Sequence, residues 1–410
     1  MLFLRAICRA RLPVDFALVP DNFAALAFMA VMKKNKLIIS TTVPETLATI
    51  LRGQPRYLSD EFRVVLVTSP GCSVDSIRAM EGVRLEELRM ERGISPVRDF
   101  VSVIKMIFLI LRERPDIVQS YTPKAGLVTM LAAFLCRTPV RIHTFTGLVF
   151  PTQSGVKRRI LIWIDRLISA CATLVVPEGE GVRRDLQRFS ITKEPLHVIG
   201  HGNIAGVDTC HFRSDLLDLH HEVVGIQSLL PVGGFTFCFV GRLNNDKGIS
   251  ELEDAFSKLP QNARLLLVGG MDYTSPISER TLESLRANPR VLLLGFQRDI
   301  RPALVASKVL VLPSYREGFP NVILQAGAME LPVIASNING CNEVIEAGVN
   351  GWLVPPRDSD ALYLSMLEAM NMPESVRVEM GKRARTRIQE RFEQKDHWRR
   401  ILLCYKNQLV

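Results

Sequence analysis

Two cations at one predicted strand end have the types and spacing to bind a phosphorylated ligand. The apolar run Phe235–Val240 is typical of a buried strand, and Gly241, Arg242 and Lys247 follow it. Glycine lets the backbone turn sharply at that point. Arginine offers a planar fork and lysine a mobile point charge, a pair suited to a diphosphate. The spacing therefore predicts a diphosphate-binding loop, with a solvated basic loop as the alternative.

A second loop adds a carboxylate and a helix start. The run Leu310–Ser314 predicts a buried strand, and a helix is predicted at Asn321–Met329, with Pro320 suited to its first position. Free N–H groups at a helix start form an anion site. Glu317 in the loop can accept hydrogen bonds from sugar hydroxyls, and Gln325 can reach a neighbouring hydroxyl pair. The alternative is that Glu317 is a surface acid and Gln325 an exposed helix residue.

A third element has the same form. Val291–Leu294 predicts a strand, and the turn Gly295-Phe296 after it has backbone groups that could hold the edge of a base. Asp299 is expected to cap a helix at Ile300–Ser307. Asp358-Ser359-Asp360, which has the form of a metal-binding acid pair, is likewise interpreted as a helix cap. No metal site and no cofactor are predicted.

These loops must be positioned by a repeated strand–helix pattern, which predicts parallel, doubly wound sheets. In the first half the candidate strands are Leu37–Ser40, Val64–Thr68, Ile117–Ser120, Val140–His143, Leu174–Val176 and His197–Ile199. In the second half they are Phe235–Val240, Arg264–Val268, Val291–Leu294, Val309–Leu312, Val333–Ala335 and Trp352–Val354. The α/β architecture predicted is two Rossmann-like domains that face a cleft. Ligands bind outside the carboxyl ends of such strands, where the three loops fall.

The domain limits follow from this pattern. Residues 1–31 are expected to be an extension outside the core, 32–205 the first domain and 206–394 the second. Gly206–Pro231 is interpreted as the connection. The amphipathic stretch 395–410 could pack back against the first domain and complete it.

Composition favours an anionic partner without choosing one. The 410 residues carry a formal charge of +9 with a pI near 9.2. Nucleic acid, an anionic membrane and a phosphate-bearing substrate would all serve, but no nucleic-acid module or basic–aromatic interleaving is present. The eight scattered cysteines form no Cys-x-x-Cys pair, which fits a reducing cytosol.

Membrane spans are not indicated, and one segment could contact a membrane surface. The runs Val101–Leu111 and Ala125–Cys136 are short of the ~18 apolar residues of a spanning helix, and the first contains Lys105. Gly155–Ile164 begins with three consecutive basic residues and continues into an apolar helix with Trp163. Such a segment could rest on the inner face of an anionic membrane. A helix that simply faces the core is the alternative.

The three loops described first, which follow the predicted strands Phe235–Val240, Val291–Leu294 and Leu310–Ser314, resemble a known family. Together with Asn339–Ile345 and Asn350–Pro356, they closely resemble the retaining group-one (family four) glycosyltransferases of the GT-B fold. The bacterial members that assemble capsular, exopolysaccharide or O-antigen units are the most similar. In the first half the resemblance includes Ser120–Gly126 and Ile142–Gly147. It implies transfer of a hexose or N-acetylhexosamine from a nucleoside diphosphate sugar, usually of uridine, to a saccharide acceptor that is lipid-linked. It also implies retention of configuration without a metal.

The resemblance also implies residue roles. Arg242 and Lys247 would stabilise the departing diphosphate, and Glu317 matches the first acid of the family's Glu-x7-Glu pair, which contacts the sugar. Gln325 stands where the second acid binds the ribose, so a charge-assisted hydrogen bond is lost there, on the order of a kcal/mol. The other implied donor contacts are Gly241, Gly295, Phe296, Gly318, Phe319, Pro320, Asn321 and Val322.

The acceptor side matches the family less well. Many relatives carry a histidine just before the glycine that here is Gly147, whereas this chain has Thr146. Lys124, His143 and Thr146 are the candidate acceptor contacts, with a packed structural role as the alternative for His143. Two other functions stay open at this point: a nucleotide-sugar epimerase of the same fold, and a catalytically silent sugar-nucleotide binding subunit.

Overall fold

The computed structural model describes residues 34–91, 93, 95–215, 220–229, 233–272 and 275–409. The extension predicted at 1–31 lies outside these residues. Two six-stranded parallel sheets with helices on both faces form the described part, which confirms the predicted fold class.

The first sheet has the order β3-β2-β1-β4-β5-β6. Its strands are β1 Lys36–Ser40, β2 Arg63–Thr68, β3 Arg84–Glu87, β4 Ile117–Tyr121, β5 Val140–Phe145 and β6 Leu174–Pro177. The strand predicted at His197–Ile199 is wrong, because Leu196 and Ile199 pack into the core from irregular chain that has no ladder partner. β3 could not be predicted from the apolar pattern, since this edge strand has one apolar residue among four.

The second sheet has the order β12-β11-β10-β7-β8-β9, and all six predicted strands are confirmed. They are β7 Phe235–Val240, β8 Ala263–Val268, β9 Val291–Gly295, β10 Val309–Leu312, β11 Val333–Ser336 and β12 Gly351–Val354. The two strands that precede the candidate donor loops, β7 and β10, are neighbours. The chain reverses its direction of progress across the sheet between them, which is where open α/β sheets bind ligands.

Within the described residues, the α-helices that lie between or directly after strands of the first sheet are α1 Gln54–Ser59, α2 Val74–Glu81, α3 Pro96–Glu113, α4 Pro123–Leu135, α5 Gly155–Cys171 and α6 Glu180–Arg188. A short π-helix at Thr46–Ile50 precedes α1. The later helices are α7 His220–Ser228, α8 Ile249–Ser257, α9 Glu279–Ala287, α10 Arg301–Val305, α11 Asn321–Ala328, α12 Cys341–Val344, α13 Ser359–Asn371, α14 Glu374–Arg391 and α15 Gln394–Asn407. The predicted connection Gly206–Pro231 therefore contains a helix, α7, which packs on α10.

Apolar residues on both faces of each sheet form the cores. The last helix, α15, lies on the first sheet, where its Ile401 and Tyr405 are buried and its Trp398 ring packs on Tyr57. Asp358 accepts a hydrogen bond from the N–H of Ala361 at the start of α13, so the capping interpretation of this acid is confirmed. None of the described helices is long and apolar enough to cross a membrane.

Candidate functional site

The loops after β7 and β10 are tied to each other by direct contacts. Gly248, the N-cap of α8, has a φ of +66°, and a Cβ there would lie 2.0 Å from the carbonyl oxygen of Pro313, so only glycine allows this approach. The N–H of Tyr315 donates to the carbonyl of Asp246 at 2.8 Å. The Asp246 carboxylate in turn forms an ion pair with Arg316, also at 2.8 Å. These contacts fix the two loops as one surface.

That surface brings together the three residues predicted to be catalytic. Lys247 Nζ lies 2.5 Å from Glu317 Oε1, and the two side chains are only 19% and 12% exposed. Arg242 is 56% exposed and forms an ion pair with the buried carboxylate of Asp272, which also accepts from Asn244 at 3.2 Å. The carboxylates hold both cations in place at the carboxyl ends of β7 and β10. Sequence reasoning missed Asp272, because it stands 30 residues from Arg242 and beyond the next strand.

The helix after the second loop begins at Asn321, as predicted, and ends at Ala328, one residue before the predicted end. The expectation that Pro320 takes the first helical position is wrong. Pro320 lies at the N-cap, and the first helical residue of α11 is Asn321. Phe319 is buried, with its ring 5.5 Å from that of Phe392, which anchors the loop. Gln325 is half-buried one turn into the helix, and its side chain has no hydrogen-bond partner among the described residues. The helix start therefore presents backbone N–H groups beside Glu317 and an amide that is available to a ligand.

The candidate base-binding turn lies on the same edge of the sheet. The N–H of Gly241 donates to the carbonyl of Val268 at 2.9 Å, and the N–H of Gly269 donates to the carbonyl of Gly295 at 2.8 Å. The ends of β7, β8 and β9 thus form one row. Phe296 at the end of this row is 71% exposed, so its ring is open to stacking by a planar group.

The two halves of the molecule meet at Gly318. A Cβ on this residue would lie 2.4 Å from Glu178 Oε2 and 2.6 Å from the carbonyl oxygen of Thr146. Both of those residues follow strands of the first sheet, Thr146 after β5 and Glu178 after β6. The structure therefore places the predicted acceptor residue Thr146 against the candidate donor loop after β10.

Further hydrogen bonds join the halves beside this contact. The Glu343 carboxylate accepts from the N–H groups of Glu180 at 2.6 Å and Gly181 at 3.0 Å, so it caps the helix α6 of the other half. Asn203 donates its side-chain amide to the Asn321 side chain at 2.7 Å. The start of α11 is thereby positioned from both sides of the cleft.

Glu178 is a buried acid of the cleft that sequence reasoning missed. Burial raises the pKa of Glu178 well above its ordinary value of 4.5, and the nearby carboxylates of Glu317 and Glu343 raise it further. Among the described residues its side chain has no hydrogen-bond partner. Its sequence position could have marked Glu178 as a site candidate. It is the first charged residue after the predicted strand Leu174–Val176, at the carboxyl end where ligands bind.

The other two candidate acceptor residues are engaged within the first half. His143 is fully buried, with Nδ1 2.8 Å from Ser120 Oγ and its ring against Gly126. Burial lowers the pKa of His143 to about 3, so the ring is neutral at physiological pH. This burial argues against the acceptor contact and supports the structural alternative. Lys124 forms an ion pair with Asp99 at 2.6 Å and is one-tenth exposed.

No group of three or more His, Cys, Asp or Glu side chains among the described residues is arranged to hold a metal ion. Metal-independent chemistry stays a prediction.

Two facing Rossmann-like sheets with a cleft between their carboxyl edges define the GT-B class. Among solved structures, Anabaena HepE in complex with UDP-glucose aligns with a TM-score of 0.75 at 19% identity, over 90% of this chain and 99% of that one. The likeness extends across both halves and supports the class assigned from the sheets.

Residues 234–372 match the family model "Glycosyl transferases group 1", and residues 48–202 match "Glycosyl transferase 4-like domain". The capsular polysaccharide biosynthesis glycosyltransferase CapM of Staphylococcus aureus is 30% identical over 382 residues, which cover 91% of this chain and 97% of the relative. The Escherichia coli UDP-Gal:alpha-D-GlcNAc-diphosphoundecaprenol alpha-1,3-galactosyltransferase is 28% identical over 310 residues, 73% of this chain and 78% of the relative. The chain belongs to the group 1 glycosyltransferases.

Proposed function

We propose that this glycosyltransferase moves a hexose or N-acetylhexosamine from a nucleoside diphosphate sugar, with uridine as the base, to a saccharide on a polyprenyl diphosphate. The transfer retains the anomeric configuration and needs no metal, and the product is a unit of a surface polysaccharide. The observation that carries the proposal is the Lys247–Glu317 pair beside Arg242, on loops that also present the start of α11. The names of the S. aureus and E. coli relatives support the polysaccharide, the UDP donor and the lipid-linked acceptor.

The donor diphosphate has three positive elements to bind: the Arg242 guanidinium, the Lys247 ammonium and the backbone N–H groups at the start of α11. Charge develops on the diphosphate as the bond to the sugar breaks. Donors that are already fixed by neighbouring groups stabilise this charge without having to reorganise. Asp272 and Glu317 supply that fixation here. Cations of the protein thereby replace the metal that other transferases use.

Glu317 and Gln325 bind the two sugars of the donor. Glu317 is oriented by Lys247, so its second carboxylate oxygen can accept from hydroxyls of the transferred sugar. Gln325 hydrogen-bonds a ribose hydroxyl pair through a neutral amide. The acceptor enters from the first half, where Thr146 and Glu178 face Gly318. The departing phosphate then takes the proton of the acceptor hydroxyl on the same face, which gives retention.

A peripheral membrane contact completes the proposal. Helix α5, which contains the segment 155–164, exposes Val156, Ile160 and Trp163 next to the exposed basic residues Lys157 and Arg159. Apolar side chains beside basic ones suit an anionic bilayer surface. All cysteines within the described residues are free thiols, as a reducing compartment would leave them. We therefore place the enzyme on the inner face of the cytoplasmic membrane.

A transfer assay tests the proposal against its alternatives. Purified protein is incubated with a panel of labelled nucleotide sugars and polyprenyl diphosphate-linked saccharides, in the presence of a chelator. The expected result is a labelled lipid-linked product with one of the donors. An isomerised nucleotide sugar without transfer would instead identify an epimerase, and binding without turnover would identify a silent subunit.

A matched pair of variants tests the site. Glu317→Ala is expected to abolish transfer, whereas Glu379→Ala, which removes an exposed acid of α14, is expected to leave it unchanged. Transfer that survives Glu317→Ala at the wild-type rate would refute the site assignment.

A further inference from the structure

Helix α3 carries apolar side chains on its solvent side as well as on its core side. Val103, Met106, Leu109 and Ile110 are buried against the first sheet. Its outward apolar side chains are between 37% and 78% exposed: Val97, Phe100, Val101, Ile104, Phe108 and Leu111. A helix that is apolar all round is normally buried on all sides, and contiguous exposed apolar surface marks an interaction site.

The outward residues form one stripe with a basic margin. The stripe repeats every three or four residues from Val97 to Leu111, about 20 Å of helix. Arg98, Lys105 and Arg112 recur every seven residues and are exposed along it. No carboxylate within the described residues forms an ion pair with Lys105, while its two neighbours in the row pair with glutamates.

The stripe also belongs to a layer that already contains the proposed membrane contact. Helix α3 packs on α4, and α4 packs on α5, whose exposed apolar residues lie in segment 155–164. The ion pair of Asp99 with Lys124 joins the first turn of α3 to the start of α4, just after β4. The stripe therefore begins at the carboxyl edge of the first sheet, which is the edge that faces the cleft.

We propose that the outward stripe of α3, Val97 to Leu111, docks the enzyme on an anionic lipid bilayer, with its apolar side chains in the headgroup region. The basic row lies where lipid phosphates would be, so the charges are complementary. A second copy of the chain fits less well, because a twofold contact would bring like-charged basic rows against each other. The role that we assign to this docking, which is to hold the cleft beside a lipid-linked acceptor, rests on the proposed function. The docking itself does not.

Vesicle flotation with the full chain tests the proposal. The wild type is expected to float with vesicles of phosphatidylglycerol and phosphatidylcholine, and less with phosphatidylcholine alone. Phe100→Ser/Phe108→Ser is expected to weaken partitioning by roughly 10- to 100-fold, since it removes two large apolar contacts. Lys105→Glu at low salt is expected to weaken it by about fivefold or more. Leu364→Ser, at an equally exposed leucine of α13, is the matched control and is expected to float like the wild type.

The contradicting outcomes are distinct. Flotation of the double variant at the wild-type level refutes docking through α3. A dimer in light scattering that the double variant converts to a monomer, without a change in flotation, assigns the stripe to self-association. A large fall in Tm for the double variant means that the stripe packs against the chain itself. UDP binding by calorimetry is measured in parallel: unchanged UDP binding with absent flotation refutes the docking alone, and absent UDP binding with normal flotation refutes the proposed donor alone.

Discussion

Replacing Lys247 with methionine separates the proposed catalytic role of the Lys247–Glu317 pair from its structural role. Methionine keeps the volume of the lysine stem but removes the charge. The pair distance is 2.5 Å, and both side chains are more than four-fifths buried. The substitution therefore leaves Glu317 without its cation, in a region that also contains the acids Glu178 and Glu343. Two consequences of different size are expected.

The catalytic loss is the larger consequence. Removal of one fixed donor that stabilises developing charge costs about 3 kcal/mol of transition-state stabilisation, so kcat/KM should fall by about 100-fold or more. The structural loss comes from an unpaired, mostly buried carboxylate. Partial exposure reduces the penalty from that of a fully buried pair to roughly 2 kcal/mol in the free energy of unfolding. Lys247→Met/Glu317→Gln leaves neither charge, so it should recover stability without recovering activity.

Transfer kinetics and urea unfolding are measured for the wild type, Lys247→Met, Glu317→Gln and the double variant. The four results check the expected loss of activity and the expected loss of stability. Lys258→Met is the matched control, since the ion pairs of Lys258 within the described part of the chain are exposed ones, with Asp254 and Asp360. Its activity should stay within about threefold of the wild type. A Lys247→Met protein with wild-type kcat/KM would refute the proposed role of the lysine. A double variant as active as the wild type would refute it equally.

Three other variants probe the rest of the site. Gln325→Glu restores a charge-assisted hydrogen bond to a ribose hydroxyl and should tighten UDP binding by about fivefold in calorimetry; weaker binding would contradict the ribose contact. Gly318→Ala places a Cβ 2.4 Å from Glu178 Oε2, so kcat should fall about 10-fold or more with UDP affinity retained, and an unchanged kcat would show that the contact at Gly318 is not needed. Because the pKa of Glu178 is raised, its neutral form is the one that the fold tolerates, and stability is lost as pH rises through that pKa. Glu178→Gln should therefore raise Tm at pH 9 more than at pH 5, and an equal shift at both pH values would contradict this.

Most of the fold follows from the sequence because buried parallel strands are nearly continuous apolar runs. Phe235–Val240 is such a run, and the structure has a strand at those residues. Strand prediction failed where a strand lacks an apolar run, or where apolar residues are buried for another reason. β3 is a polar edge strand, whereas the stretch His197–Ile199 is bounded by apolar residues that pack in the core without pairing in a sheet.

The candidate donor loops could be located from the sequence because glycine, cations and a helix start follow strand ends directly along the chain. Partners that come from elsewhere were not. The Arg242–Asp272 pair spans two strands, and Glu178 reaches Gly318 from the other half of the molecule. Likewise, a histidine at a strand end can be buried in the protein core or exposed at a ligand site, and the sequence does not distinguish the two. The packing of the His143 ring against Gly126 shows that this histidine is buried.

A structure of the protein with a UDP-sugar bound tests the donor site most directly. The expected result is a diphosphate with its oxygens about 3 Å from side-chain nitrogens of Arg242 and Lys247, at the start of α11, with the sugar on Glu317 and the ribose on Gln325. A nucleotide bound elsewhere in the cleft, with these four side chains free of it, would contradict the proposed site.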